Sequence, residues 1–91
     1  MRVTSLTASR VKGRWRVAAR VVANQRVRVR ARVGRVKRTW ADRTVTLQRG
    51  ATTVRLQLAP RATAGVCWFN LVARNADGQV RTVRRNVRLG R

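Results

Sequence analysis

Arg26, Arg28, Arg30 and Arg32 stand at alternate positions of the run Arg-Val-Arg-Val-Arg-Ala-Arg. A guanidinium group is a rigid fork of N–H donors that matches phosphate, sulfate or carboxylate oxygens two at a time. The chemistry offered by this spacing is therefore anion capture. Arg74, Arg81, Arg84, Arg85 and Arg88 supply a second group of forks near the end of the chain, and Trp68 precedes them. An indole face can stack on a base, a sugar or an arginine. Sandwiched between arginine stems, the same ring would simply seal a sheet face.

Bond-making chemistry finds few candidates. The chain has no His, no Glu and no Tyr, and its only carboxylates are Asp42 and Asp77. General acid–base catalysis needs a group whose pKa can be set near the working pH. Asp77 precedes Gly78 in turn-forming sequence, and Asp42 lies among Arg38 and Arg43 as an expected ion-pair partner. Paired carboxylates, His/Cys metal spacing and a glycine-rich phosphate loop are all missing from the sequence. The expectation is a noncatalytic protein with no cofactor and no metal.

Charge dominates the composition. Lys and Arg number 23 against 2 acids, a net +21, and only Lys12 and Lys37 are lysines. Such a field draws polyanions: nucleic acid, anionic glycopolymer, lipid head groups or an acidic protein surface. A compositional excess of Arg on a solvated sheet face would look the same. At 91 residues the chain is expected to be a single domain, 1–91, with 44% hydrophobic residues available for its core. Met1-Arg2-Val3-Thr4 opens no apolar signal segment, and no apolar run is long enough to span a bilayer. The expected location is inside a cell or particle, or extracellular if the chain is part of a longer secreted protein.

These residues need elements to hold them, and the pattern predicts strands. In Gly65–Gly78, the side chains Cys67, Phe69, Leu71 and Ala73 recur with period two and share one face. Asn75, Asp77 and Gly78 then supply turn chemistry before a second run containing Val80, Val83, Val87 and Leu89. Strand, turn and strand make a hairpin that should form the centre and edge of a sheet. Cys67 falls on the inward parity, where a lone thiol acts as a small hydrophobe.

Earlier in the chain, Val3–Ala8 is a candidate edge strand. Trp15, Val17, Ala19 and Val21 alternate with polar or small residues, and Val27–Val33 alternates strictly. Helical spacing also fits Trp15, Ala18, Ala19 and Val22, but the Arg-Val repeat that follows sorts its charges only as a strand. Asn24-Gln25 is expected to join these two strands as a hairpin. Val36–Trp40 is expected to be a crossing segment, Ala41–Arg43 a loop, and Thr44–Leu47 a strand. Val54, Leu56 and Leu58 should face inward until Pro60 ends their strand, and Ala59–Ala64 is long enough to cross between sheets. Trp15 takes a core parity, whereas the pattern assigns Trp40 to neither face.

Six or seven short strands at this turn spacing indicate an all-β sandwich or barrel. The stretch Ala64-Gly65, Cys67/Phe69/Leu71/Ala73, Asn75-Ala76-Asp77-Gly78 and the ending Asn86-Val87-Arg88-Leu89 resembles bacterial immunoglobulin-like and fibronectin-type-III-like domains. Leu47-Gln48-Arg49-Gly50 followed by Val54–Pro60 also looks like their middle, so the likeness runs from about Val11 onward. It implies an immunoglobulin-like antiparallel β-sandwich of about seven strands, serving as a spacer, adhesion or assembly module of a surface, secreted or particle-associated structure. Cys67 replaces the Tyr often found after the opening Gly, and the charge departs from an ordinary spacer.

On that architecture the Arg26–Arg32 forks should lie outward beside Val66, Trp68, Asn70, Val72 and Arg74. Arg81, Arg84, Arg85 or Arg88 should join them, with a bulge suggested by the adjacent Arg84-Arg85 pair. The rival expectation is a small basic nucleic-acid-binding β-barrel that stacks bases on its tryptophans. Only 4% of residues are aromatic, which is poor for such a platform.

Overall fold

Period-two alternation is carried out along nearly the whole chain. The computed structural model describes residues 1–74 and 78–90, and within them every regular element is a strand. These are β1 (Arg2–Val11), β2 (Arg14–Ala23), β3 (Val27–Arg35), β4 (Arg38–Leu47), β5 (Gly50–Gln57), β6 (Gly65–Arg74) and β7 (Val80–Leu89). All pairings are antiparallel, in a three-stranded sheet ordered β1-β2-β5 and a four-stranded sheet ordered β4-β3-β6-β7. The two sheets face each other as a β-sandwich.

One inner face is β2's Val17, Ala19, Val21 and Ala23 with β5's Val54 and Leu56; the other is β3's Val29, Ala31 and Val33 with β6's Cys67, Phe69, Leu71 and Ala73. Leu47, Leu58, Val87 and Leu89 complete the interior, and no polar or charged side chain of the described residues is buried in it. Val27 packs against this core from a half-buried position. The two-sided sorting read from the sequence is thus the observed one.

Three local expectations are corrected. Asn24-Gln25 does not close a hairpin: β2 pairs with β1 and β5, and β3 with β4 and β6, so this link crosses between sheets. Hydrophobic alternation specifies which face a strand buries but not which neighbour it takes. The tight hairpin lies one strand earlier, where Lys12 (φ 52°) and Gly13 (φ 79°) occupy the positive-φ positions of a two-residue turn.

Secondly, Val36–Trp40 is no crossing segment and Ala41–Arg43 no loop. β3 turns through Val36-Lys37 directly into a continuous β4. The register slips between Val33 and Gly34, where Val33 faces Ala41 but Gly34 faces Thr39. That extra residue turns Trp40 into the core, where it is 8% exposed. Thirdly, the barrel form of the rival expectation is ruled out: no ladder joins β1 to β7 or β4 to β5, so two open sheets stack and do not close. The expected crossing after β5 and the β6–β7 hairpin are both present. The turn assigned to Asn75, Ala76 and Asp77 lies outside the described residues, while Gly78 has φ 80°.

Cys67 is 2% exposed and its thiol lies 3.4 Å from the Val87 carbonyl oxygen. Burial pushes its pKa up, against a smaller lowering by the Arg35 charge. The neutral thiol is therefore held as a core side chain. Labelling with a chromogenic disulfide reagent should be slow in buffer and should quicken with denaturant as the domain opens. Rapid stoichiometric labelling of the folded protein would contradict this burial.

Candidate anion-binding face

The outer face of β4-β3-β6-β7 is built in rows by the strand register. One row runs Thr44, Arg30, Val72, Thr82; the next runs Asp42, Arg32, Asn70, Arg84; a third runs Thr39, Gly34, Trp68, Asn86. Val66 and Arg88 pair beyond them. At the other end of the face Arg28 lies opposite Thr46, Arg26 precedes β3, and Arg74 pairs with Val80. Along one strand, alternate residues are about 6.6–6.8 Å apart, and adjacent strands about 4.8 Å. The Arg28, Arg30 and Arg32 side chains therefore start about 6.7 Å apart along β3, and Arg84 starts two strands, about 9.6 Å, from Arg32.

Arg30 is withdrawn from this set. Its Nε donates to Asp42 Oδ1 at 2.9 Å and its Nη2 to Asp42 Oδ2, a bidentate pair. The hydrogen-bonded Arg30 fork holds the Asp42 carboxyl below the usual carboxylate range against an opposing effect of burial, and the Arg30 and Arg32 charges add to the lowering. Asp42 is thus an ion-pair partner as expected, although its partner comes from the neighbouring strand and is neither Arg38 nor Arg43. It is also the only carboxylate among the described side chains; Arg32 stands opposite it across the ladder without a hydrogen bond to it, and among the described residues Arg28, Arg84 and Arg88 have no acid as a cross-strand partner.

Two of the sequence-assigned arginines start from the other side of their strand, and one of them, Arg81, leaves the face. The β6–β7 register runs without a slip, with Asn70 opposite Arg84 and Phe69 opposite Arg85. No bulge separates the pair, so Arg84 points outward while Arg85 and Arg81 start from the core-facing side. Both remain exposed because β7 is an edge strand. Arg85 curls back so that its Nη1 donates to the Arg84 carbonyl at 2.9 Å. Arg81 is carried away to the end of the sandwich near Met1 and Val27.

Arg32, Lys37, Arg84 and Arg85 surround an open hollow of about 670 Å³ floored by Trp68 and Asn70. Trp68 is half-buried; its Nε1 donates to the Val36 carbonyl at 3.3 Å. The ring lies so close over Gly34 that a Cβ there would come within 2.6 Å of it. Among the described residues the arginine–tryptophan stacks are Arg10 on Trp15 at 5.7 Å and Arg35 on Trp40 at 4.9 Å. Trp68 is tied to the Val36 turn by its Nε1 and has no such guanidinium stack among the described residues. Val36 itself has φ 52°, a rare conformation for a β-branched residue, and is 82% exposed at the rim. Strain of this sort costs about 1–3 kcal/mol. In the hollow, Arg32 Nε and Asn70 Oδ1 are inaccessible atoms that lack a hydrogen-bond partner.

Sequence reasoning missed two features. Lys37 and Asn86 join the hollow through the β3–β4 turn and the β7 register, neither of which periodicity specifies. Arg35 is structural: it stacks on Trp40 and donates to Val66 O, Thr63 Oγ1, Thr63 O and Ala64 O at 2.8–3.1 Å, fastening the β5–β6 connection. Among the described residues no cluster of His, Cys, Asp and Glu could hold a metal ion, and no helix is long and apolar enough to cross a membrane. The chain matches no protein-family model and no curated protein.

Proposed function

We propose that this domain is a noncatalytic, immunoglobulin-like interaction module whose β4-β3-β6-β7 face binds an anionic polymer or acidic surface in a surface, secreted or particle-associated assembly. The observation that carries this reading is the row Asp42–Arg32–Asn70–Arg84 with its neighbours. The one described carboxylate is held by Arg30, and Arg32, Lys37, Arg84 and Arg85 outnumber it around a hollow floored by an indole. The strand order supports the immunoglobulin-like part, since β3, β6 and β7 lie together as the C, F and G strands do, with β4 added beside β3. The resemblance in sequence supplies the assembly role.

Like charges facing one another on a sheet repel. The domain has a radius of gyration of 13.0 Å, so many of its charges lie within or near the Debye length of about 8 Å at physiological salt. A ligand that binds only the folded state stabilises it by mass action, by about 2.7 kcal/mol at a hundred times its Kd. In a domain of this size that raises the melting temperature by on the order of 10 °C. Heparin, nucleic acid or polyphosphate should accordingly raise it well beyond sodium chloride of equal ionic strength. Combined Arg28→Gln, Arg32→Gln, Arg84→Gln and Arg88→Gln substitutions should remove most of that excess while the unliganded domain melts no earlier. Equal shifts from polymer and simple salt would reduce the face to solvated charge.

A further inference from the structure

The opposite side of the sandwich is also cationic. β2 turns Val17, Ala19 and Val21 inward, so Arg16, Ala18 and Arg20 face out, and the register sets Ser9 and Gln57 beside Arg16, Thr7 and Arg55 beside Ala18, and Ser5 and Thr53 beside Arg20. Arg16, Arg20 and Arg55 are exposed, and no carboxylate of the described residues belongs to this sheet. Their cross-strand neighbours are hydroxyls, an amide and a methyl; Asp42 and Arg43 of β4 border the same hollow as Arg16 and Arg55, but the Asp42 carboxylate is engaged by Arg30.

We propose that the domain is a two-faced bridge that holds two nucleic-acid duplexes at once, one against each sheet. This rests on the anion-binding reading of the β4-β3-β6-β7 face and adds the β1-β2-β5 face and the class of polymer. Duplex is favoured over sparser polyanions by charge density. The long axis of the domain is 39 Å, and at one charge per roughly 1.7 Å a duplex of that length carries about 23 charges. The protein carries +21, divided between opposite sides. A duplex lying on one face meets only the cations of that side, and the other face stays charged toward a second duplex. Stacked sheets are about 10 Å apart before side chains are added. Phosphates on opposite sides are thus separated by more than a Debye length and repel weakly. Arginine forks bind phosphate oxygens bidentately without reading bases, so binding should be independent of sequence.

The test mixes donor-labelled and acceptor-labelled duplexes of about 12 base pairs, a length matched to the long axis, and titrates in the protein. Energy transfer should rise, peak near two duplexes per protein in sedimentation, and fall again when protein is in large excess. Arg16→Gln/Arg20→Gln/Arg55→Gln should still bind one duplex but lose transfer, and Arg28→Gln/Arg32→Gln/Arg84→Gln/Arg88→Gln should do likewise. Removing three phosphate contacts weakens a face by roughly a hundredfold at 0.15 M salt. Wild-type protein that binds one duplex tightly without transfer overturns the bridge and leaves the single-face reading standing. Transfer that survives in both variants overturns it too, by showing aggregation through unsorted charge. Bridging of heparin but not of duplex overturns the choice of polymer, and failure to bind either sinks both readings. Circular dichroism and melting of each variant verify that it is folded.

Discussion

Gly34→Ala is expected to destabilise the domain by about 3 kcal/mol or more, the upper part of the range for overpacking. The position is not left-handed, so backbone strain is not the cause. An added Cβ would stand 2.6 Å from the Trp68 ring and still closer to the carbonyl oxygen of Arg38. Rotation of the ring would relieve the first contact, but the ring is tied to Val36 O through its Nε1. The Arg38 oxygen belongs to the first residue of β4 and moves only if the β3–β4 hairpin opens. Two substitutions separate these causes. Trp68→Leu in the alanine background should recover part of the loss, because it relieves the ring contact and leaves the backbone contact. Denaturant midpoints of the four proteins give the coupling. A loss below about 0.5 kcal/mol for Gly34→Ala would mean that the hairpin absorbs the methyl, and the close approach would then play no part in placing Trp68.

Gly34 also marks where the sequence became hard to read. Up to Val33 the alternation names the buried face residue by residue, because a strand has only two sides and hydrophobic burial chooses one. The slip at Val33/Gly34 adds one residue and reverses the parity that follows. Nothing in Gly-Arg-Val-Lys-Arg-Thr-Trp announces it, and so the pattern assigns Trp40 no face and the first half of β4 reads as a crossing and a loop, with only Thr44–Leu47 as strand. Asp42 is poor strand material. At the edge of a sheet, aimed outward at Arg30, it is accommodated by the ion pair. The β7 arginines show the reverse case. Arg84-Arg85 suggested a bulge because two neighbouring charges were both expected outside. An edge strand can expose both sides, so the pair fits an unbroken ladder. The cationic face was legible in β3 and β6, where both flanks are paired. It was misjudged in β7, where only one is.

Phe69→Ala should have the largest effect of any single truncation, a loss of about 3–5 kcal/mol. The side chain is fully buried in the middle of β6, opposite Val33 on one side and Arg85 on the other. It is the only Phe in the chain and the largest of the fully buried side chains. A 91-residue domain is stable by about 5–14 kcal/mol in total, and the substitution removes a large share of that. Phe69→Leu leaves a smaller cavity and should cost about 1–2 kcal/mol. The buried thiol two residues away reports the difference without a separate probe. Cys67 is labelled only through opening, so a 3 kcal/mol loss should speed native-state labelling about a hundredfold, provided that opening reaches the global transition. Because a ligand of the folded state restores stability by mass action, duplex or heparin at a hundred times its Kd should slow that labelling again by about a hundredfold. The Arg28/Arg32/Arg84/Arg88 glutamine variant carrying Phe69→Ala should be protected far less. Fast labelling that polymer does not slow would mean the anion settles on the chain whether or not the sheets are closed. The face would then hold no ligand that depends on the fold.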